Sequence, residues 1–240
     1  MIATSKLMLQ RVLASRRWDI HRGVPWTIHR QAVLRRAGVR SVLDIGANEG
    51  LYGEALRRAG YSGTIHSFEP LPDAFDRLSV RASRDDNWHA VNAACGEAAG
   101  TLELHRSANS VSSSFLEMLD EHARAAPESR YEGPTVRAKV VTLDDYTRDI
   151  EGTSRSIHLK MDVQGYEDRV LRGATTTLDR VCSLEFEVSF APLYGDQAEW
   201  TELLGMLLTT FDLIDLRPGF RAADFRLLQA DVLMVRQAGK

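Results

Sequence analysis

Val42-Leu43-Asp44-Ile45-Gly46-Ala47-Asn48-Glu49-Gly50 is the stretch that decides the fold. It opens as a β-branched and aliphatic run, the pattern of a strand buried in a parallel sheet. Small residues then break the run, and Leu51–Arg58 continues with helical spacing. Strand, glycine turn and helix together form the nucleotide-binding unit of a Rossmann-like sheet. The glycines let the backbone approach a ligand closely, and the helix N-terminus presents free N–H groups.

The glycine spacing narrows the ligand. A dinucleotide site requires G-x-G-x-x-G. Here Asn48 follows Gly46, and Leu51 stands where the third glycine belongs. An NAD-dependent enzyme is therefore disfavoured. Asp44-x-Gly46-x-Asn48-x-Gly50 resembles motif I of the class I S-adenosylmethionine (SAM) methyltransferases, with Asn in place of the middle glycine. SAM lacks a pyrophosphate and carries a cationic sulfonium and an amino group, so an acid near the turn suits it. A second acid supports this reading. Gly63–Phe68 reads as the next strand, and it ends in Glu69-Pro70. Glu69 lies about 20 residues beyond the turn, where such folds place an acid on ribose hydroxyls.

Composition bounds the alternatives. A chain of 240 residues suits one α/β core with a small extension. The net charge of −3 argues against a dedicated nucleic-acid partner, which calls for a basic footprint. No apolar run is long enough to span a bilayer. Gln10, Arg11, Arg16 and Arg17 interrupt anything resembling a signal peptide. Cys95 and Cys182 make neither a disulfide framework nor a metal spacing, and a cytoplasmic setting is the simple reading.

Residues 1–38 read as an N-terminal helical extension, basic and broken at Pro25, with a second helix over Trp26–Ala37. Leu7, Leu9, Val12 and Leu13 form an apolar stripe, and Arg11, Arg16, Arg17, Arg22 and Arg30 meet few acids. This extension is either a cover for the sheet edge, a lid, or a patch for peripheral membrane contact. Residues 39–240 read as the methyltransferase domain. Its strands and helices alternate, which implies a mostly parallel seven-stranded sheet. Phe211–Asp215 and Asp231–Arg236 form a closing hairpin and so an antiparallel edge strand. Trp88–Ala93 is the third strand, with Asn92 and Ala93 at the adenine end. Gly96–Arg106 reads as a turn and a strand and Thr135–Leu143 as another strand, an extra β insertion with a Ser- and Asn-rich loop at 107–115 between them. Thr142 or Asp144 caps a short helix. Asp196–Leu208 reads as a late helix.

A second informative stretch is Ile157–Val163, where apolar residues alternate with His158, Lys160 and Asp162. Lys160 and Asp162 share a face because strand side chains alternate. Both approach the carboxyl end of the strand, the edge where open α/β sheets bind ligands. Buried ionisable groups are costly unless paired or functional. Val181–Val188 repeats the pattern with Glu185 and Glu187. Asp162, Glu185 and Glu187 are also weak candidates for a divalent cation, since hard cations prefer carboxylate oxygen. His105, His122 and His158 are weaker candidates for a base, since none ends a strand.

Several stretches in order resemble the FkbM-type family of SAM-dependent methyltransferases. They are Leu43–Gly50, Phe68-Glu69-Pro70, Leu143-Asp144, Leu159-Lys160-Met161-Asp162-Val163-Gln164-Gly165-Tyr166-Glu167, Val170-Leu171-Arg172-Gly173 and Leu193-Tyr194-Gly195. The segment around Asp162 and Gly165, followed by Val-Leu-x-Gly, is the most specific. Gln164 departs from the pattern, which usually has Glu. The resemblance implies a Rossmann-like class I fold and methylation of a hydroxyl on a small molecule, sugar, glycolipid or macrolide-like acceptor. It implies SAM held by Asp44, Gly46, Ala47, Asn48, Gly50, Glu69, Asn92 and Ala93. It makes Asp162 the base or its orienter, with Lys160 and Glu187 shaping the pocket. The rivals are a nucleic-acid or protein methyltransferase, which predicts a basic groove or an N-P-P-aromatic motif, and a non-catalytic SAM-binding module. The oligomeric state is left open.

Overall fold

The computed structural model describes residues 25–148, 150 and 155–239. The expected helix within residues 1–24, its apolar stripe and most of its arginines lie outside them. Along the chain run α1 (Trp26–Arg36), β1 (Ser41–Ile45), α2 (Leu51–Arg58), β2 (Thr64–Phe68), α3 (Pro72–Ala82) and β3 (Trp88–Val91). A second group follows: β4 (Ala94–Cys95), β5 (Gly100–Leu104), α4 (Asp120–Ala125), β6 (Val136–Val141) and α5 (Leu143–Thr147). The chain closes with β7 (Ile157–Met161), α6 (Glu167–Arg172), α7 (Thr175–Leu178), β8 (Val181–Ser189), α8 (Trp200–Leu207), β9 (Phe211–Pro218) and β10 (Gln229–Arg236).

The main sheet has the order β3-β2-β1-β7-β8-β10-β9. β1 pairs in parallel with β2 on one side and β7 on the other. The chain runs outward from β1 to β3 and then returns across it to β7. The strand order reverses at β1/β7, so a crevice opens above their carboxyl ends. The antiparallel edge is as expected: β9 ends the sheet and pairs antiparallel with β10, and β10, between β8 and β9, is antiparallel to both. The hairpin was legible, but the side on which it inserts depends on β8 offering β10 a free edge.

Apolar side chains from the two faces of the sheet form separate cores. Leu43, Ile45, Leu159, Met161, Leu184 and Phe186 fill one. Val42, Leu56, Ile65, Leu78 and Trp88 fill the other, with Leu34 of α1. Each fully buried side chain of this size contributes roughly 1.5–3 kcal/mol, so sheet and helices are held in one arrangement. α2 can lie close to β3 only because residue 53 is Gly: a Cβ there would come within 2.3 Å of Trp88 Cζ2.

The β insertion is a sheet of its own, ordered β4-β6-β5. Leu104 and Ala138 from it pack with Leu71 and Ala74, and Phe115 joins them. This anchors the insertion beside the glycine turn. At α5 the cap is Thr142, whose side chain accepts from the Asp145 N–H at 3.1 Å. Asp144 instead crosses to α7, where it accepts from the N–H groups of Thr176 and Thr177. α8 begins at Trp200 rather than Asp196. Gln197 Oε1 accepts from the N–H groups of Leu193 and Tyr194, which holds that segment as a turn. Among the described residues no helix is long and apolar enough to cross a membrane.

Candidate active site

The register of the sheet lines up a row of polar side chains. Ser67, Asp44, Lys160 and Glu185 sit opposite one another on β2, β1, β7 and β8. Period-2 alternation turns all four to the face beneath α1 and α2. Contacts along the row hold it together. Ser67 Oγ donates to Asp44 Oδ2 at 3.0 Å, and Lys160 Nζ lies 3.1 Å from Asp44 Oδ1. Lys160 Nζ also donates to the Gly46 carbonyl at 3.0 Å and lies 3.9 Å from Asp162 Oδ2. Burial works against the lysine charge, but Asp44 and Asp162 outweigh it and raise the Lys160 pKa.

Glu185 is buried at the other end of the row. It accepts from Arg30 Nη1 at 3.0 Å, Trp26 Nε1 at 3.0 Å and the Tyr52 hydroxyl at 2.9 Å. The same hydroxyl lies 3.0 Å from His158 Nε2. Burial alone raises the Glu185 carboxyl, but His158, Arg30 and Trp26 more than offset it and hold it at about 2.

The glycine turn sits directly above Lys160. Gly46 has φ +74°, and its N–H donates to the Phe68 carbonyl at 3.1 Å. A Cβ on Gly46 would lie 1.9 Å from the Asp162 carbonyl oxygen. The ends of β1 and β7 are that close. Beyond the turn, Asn48 Nδ2 donates to Ser110 Oγ at 3.2 Å. Glu69 receives the N–H groups of Asn48 and Leu71, one on each oxygen, both at 2.8 Å. Burial pushes its carboxyl up to about 7, and those two N–H donors limit the rise.

A cavity lies over the turn. Gly46, Asn48, Glu69 and Asp162 line it. So do Leu71, Ala94, Cys95, Phe115 and Tyr166, which make an apolar wall. The serine-rich loop closes one side through Ser110, Ser113 and Ser114. That loop is tied down: Ser107 Oγ donates to Asn109 Oδ1 at 2.7 Å, and Ser114 Oγ donates to the Gln164 carbonyl at 2.7 Å.

The structure thus gathers Gly46, Asn48, Glu69 and Asp162 in one cavity and sets other expected residues apart. Asp44 does not line it. Its carboxyl is fully buried below the turn, where Ser67 and Lys160 occupy it. Lys160 is a positioning residue for the turn, because its ammonium is spent on Asp44 and Gly46. Ala47 packs into the core with Leu56. Gly50 starts α2 at φ +84°, where a Cβ would meet Leu78 Cδ1 at 2.8 Å. Asn92 donates to the Glu69 carbonyl at 2.9 Å from outside the cavity, and Ala93 is buried. The next two residues, Ala94 and Cys95, form the wall instead, because β4 turns away into the second sheet. Glu187 stands at the end of β8, 3.5 Å from Gln164 Nε2.

The three weak metal candidates, Asp162, Glu185 and Glu187, are not gathered into one cluster. Among the described residues no group of three or more His, Cys, Asp or Glu could hold a metal ion. Glu185 faces Arg30 under α1, while Asp162 and Glu187 lie at the strand ends. Alternation along β8 gave Glu185 and Glu187 one face but not one neighbourhood. The apolar wall was not legible in sequence, since an isolated Leu and Phe in loops and the two-residue β4 carry no spacing signal. His105 faces Glu117 at 3.3 Å. His122 packs edge-on to Tyr194, and His158 is buried between the sheet and α2, against Tyr52 and Ser183.

A β3-β2-β1-β7-β8-β10-β9 sheet with a glycine turn and an acid after β2 defines a Rossmann-like class I methyltransferase. The chain belongs to the FkbM family of methyltransferases: residues 44–227 match the Methyltransferase FkbM domain. It is 27% identical over 215 residues to the 2-O-methyltransferase NoeI of Sinorhizobium fredii, covering 86% of this chain and 84% of that protein. It is 30% identical over 153 residues to the methyltransferase sdnD of Sordaria araneosa, covering 55% and 59%. Among solved structures, a methyltransferase FkbM from Methylobacillus flagellatus aligns with a TM-score of 0.47 and 14% identity, over 82% of this chain and 44% of that one.

Proposed function

We propose that this protein transfers a methyl group from SAM to a hydroxyl of a sugar, glycolipid or other small natural-product acceptor. The observation that carries the proposal is the pairing of two carboxyl groups across one glycine turn. Glu69 lines the cavity on the β2 side of Gly46, and Asp162 lines it on the β7 side. The relative named a 2-O-methyltransferase supports oxygen as the accepting atom.

The residues present fit the donor. Each Glu69 oxygen holds one backbone N–H and keeps a second lone pair, so the carboxylate can accept from two vicinal hydroxyls. Leu71, Ala94, Cys95 and Phe115 offer an apolar surface suited to a purine ring. Gly46, held open by its positive φ, leaves the backbone free to approach. When bound, SAM supplies an electrophilic methyl group on a sulfonium. Asp162 accepts the proton of the acceptor hydroxyl at its half-exposed carboxylate, since a neutral alcohol is a poor nucleophile. Lys160 holds the Gly46 carbonyl and the Asp162 side of the crevice in fixed relation.

Calorimetry with SAM and with NAD tests the donor: binding of SAM alone is expected, and no heat with SAM sinks the proposal. Screening labelled SAM against glycosides and cell extract, with mass spectrometry of the product, identifies the acceptor. With an acceptor in hand, Asp162→Asn is expected to lower kcat at least about 100-fold, the scale of a lost general base, while SAM affinity stays near wild type. Full turnover by Asp162→Asn removes the base assignment.

Glu69 gives a pH signature. Its folded pKa of about 7 lies above the ordinary carboxyl value of 4.5. A raised acid favours the folded state below its unfolded pKa, and that advantage is lost as pH rises through the folded value. Hydroxyl binding to Glu69 needs the ionised form, so SAM affinity is expected to strengthen from about pH 6 to about pH 8, across that folded value. Glu69→Gln is expected to bind weakly and to flatten that dependence in calorimetry.

A further inference from the structure

Gln164 stands between the acids at the ends of β7 and β8, in the left-handed region at φ +55°. Both ends of its side-chain amide are engaged. Oε1 accepts from the Tyr194 hydroxyl at 2.7 Å. Nε2 donates to Asp162 Oδ1 at 2.8 Å and reaches Glu187 Oε2 at 3.5 Å. The opposite amide orientation would turn Oε1 toward two carboxyl groups and leave both without this donor. The chemistry of the neighbours therefore selects the orientation. Gln229 Nε2 supplies Glu187 with a second amide donor at 2.5 Å.

The anchor is rigid. Tyr194 is 1% exposed, and its hydroxyl lies 3.4 Å from the Ser112 carbonyl as well. Ser114 holds the Gln164 backbone carbonyl. The same glutamine therefore joins the serine-rich loop to the acid pair. The titratable groups around it are mostly acids: Asp162 itself, Glu187 from β8, Glu167 from α6 and Asp231 from β10. Lys160 from β7 is a cation facing them, Arg217 from β9 pairs with Asp231, and Tyr194 closes the far side.

We infer that Gln164 is the positioning residue of the acceptor side, a neutral amide clamp that aims the Asp162 carboxylate and ties it to Glu187. Its role as an aid to catalysis rests on the proposed methyl transfer; the clamp itself does not. A carboxyl group at position 164 would add a third acid between Asp162 and Glu187 and remove the donor that joins them. Its own oxygen could satisfy Asp162 only when protonated. Burial, followed by Asp162, Glu167 and Asp231, already pushes the Glu187 carboxyl well up. Loss of the amide pushes it further, because the anion loses a hydrogen bond.

Carboxyl ¹³C NMR of Asp- and Glu-labelled protein reads this directly. In Gln164→Glu, the Glu187 titration is expected to move up by about one pH unit or more. The carboxyl introduced by that substitution is expected to titrate above the ordinary carboxyl range. Gln164→Met, which removes the amide without adding charge, is expected to move Glu187 in the same direction by less. In the wild type, the side-chain NH₂ resonances of Gln164 are expected to shift as Glu187 titrates, a readout that needs no variant. A Glu187 curve unmoved in the variants, or Gln164 NH₂ signals indifferent to it, overturns the clamp. SAM calorimetry on the same wild-type sample stands apart: absence of heat removes the methyl-transfer reading and leaves the clamp result intact.

Discussion

Gly46→Ala is expected to abolish measurable SAM binding and to destabilise the fold by about 3–5 kcal/mol. Two costs combine. Residue 46 has φ +74°, where a side chain is strained. The new Cβ would also fall 1.9 Å from the Asp162 carbonyl oxygen and 2.9 Å from its carbonyl carbon. Those are backbone atoms at the end of β7, so no side-chain rotation relieves the clash. β1 and β7 must separate, and the Asp162 N–H bond to the Ile45 carbonyl at 3.0 Å goes with them. Separation also pulls the Gly46 carbonyl from Lys160 and moves Glu69 relative to Asp162. Gly60→Ala is the control. It shares a positive φ of +88° but has open space around the new Cβ, so it is expected to cost only about 1–2 kcal/mol. Thermal melts and SAM calorimetry on both variants separate strain from collision. Normal SAM binding by Gly46→Ala would remove the turn from the donor site.

Arg30→Met has the second large effect, and it acts far from the cavity. Arg30 is 5% exposed and Glu185 6% exposed. Removing the cation leaves a buried carboxylate with only neutral hydrogen-bond partners, and breaking a buried pair typically costs about 3–5 kcal/mol. Methionine keeps most of the side-chain stem, so lost packing contributes little. The melting temperature is expected to fall by roughly 6–20 °C for a chain of this size. Adding Glu185→Gln is expected to recover much of the loss, because the amide needs no counter-charge. The pH dependence has a definite sign. The Glu185 pKa is depressed from 4.5 to about 2, so its contribution is present above the unfolded value and is lost as pH falls through the folded one. The gap between wild type and Arg30→Met is therefore expected to narrow on going from about pH 6 to about pH 3, toward that folded value. A gap that is independent of pH, unrelieved by Glu185→Gln, points to packing alone.

The Arg30 result bears on how α1 relates to the site. Arg30 lies over the Tyr52 ring at 4.5 Å, and Lys160 Nζ lies over the same ring at 5.4 Å. Tyr52 belongs to α2, just beyond Gly50. The helix that covers the sheet and the turn that lines the cavity thus share one aromatic side chain. Structural support for the turn comes from below, through Lys160, Tyr52 and Arg30, while ligand-facing groups lie above it.

Local physics made much of this readable. Gly46 and Gly50, the aliphatic run before them and the helical spacing after them specify strand, turn and helix through short-range sterics and alternation. The bounds of α2 follow from the same signals. Glu69 could be placed at the end of β2 because chain distance from the turn limits where it can go. Lys160 and Asp162 could be placed at the end of β7 by alternation alone.

Partner choice was not readable, because it depends on which strands become neighbours. Asp44 reads as a ligand acid when seen beside the glycines. Parallel pairing sets it opposite Lys160 and Ser67, and they bury it. Glu185 and Glu187 look equivalent two residues apart on β8. Arg30, arriving from α1 across 155 residues, claims the first, and Gln229 and Gln164 reach the second. The sequence by itself determined the sheet class, the glycine turn and the acids that end β2 and β7, since these rest on local geometry. Only the tertiary structure decided which acids face the cavity and which are neutralised beneath it. That outcome depends on cross-strand register and helix docking, and charges cost least where distant residues bring them a partner.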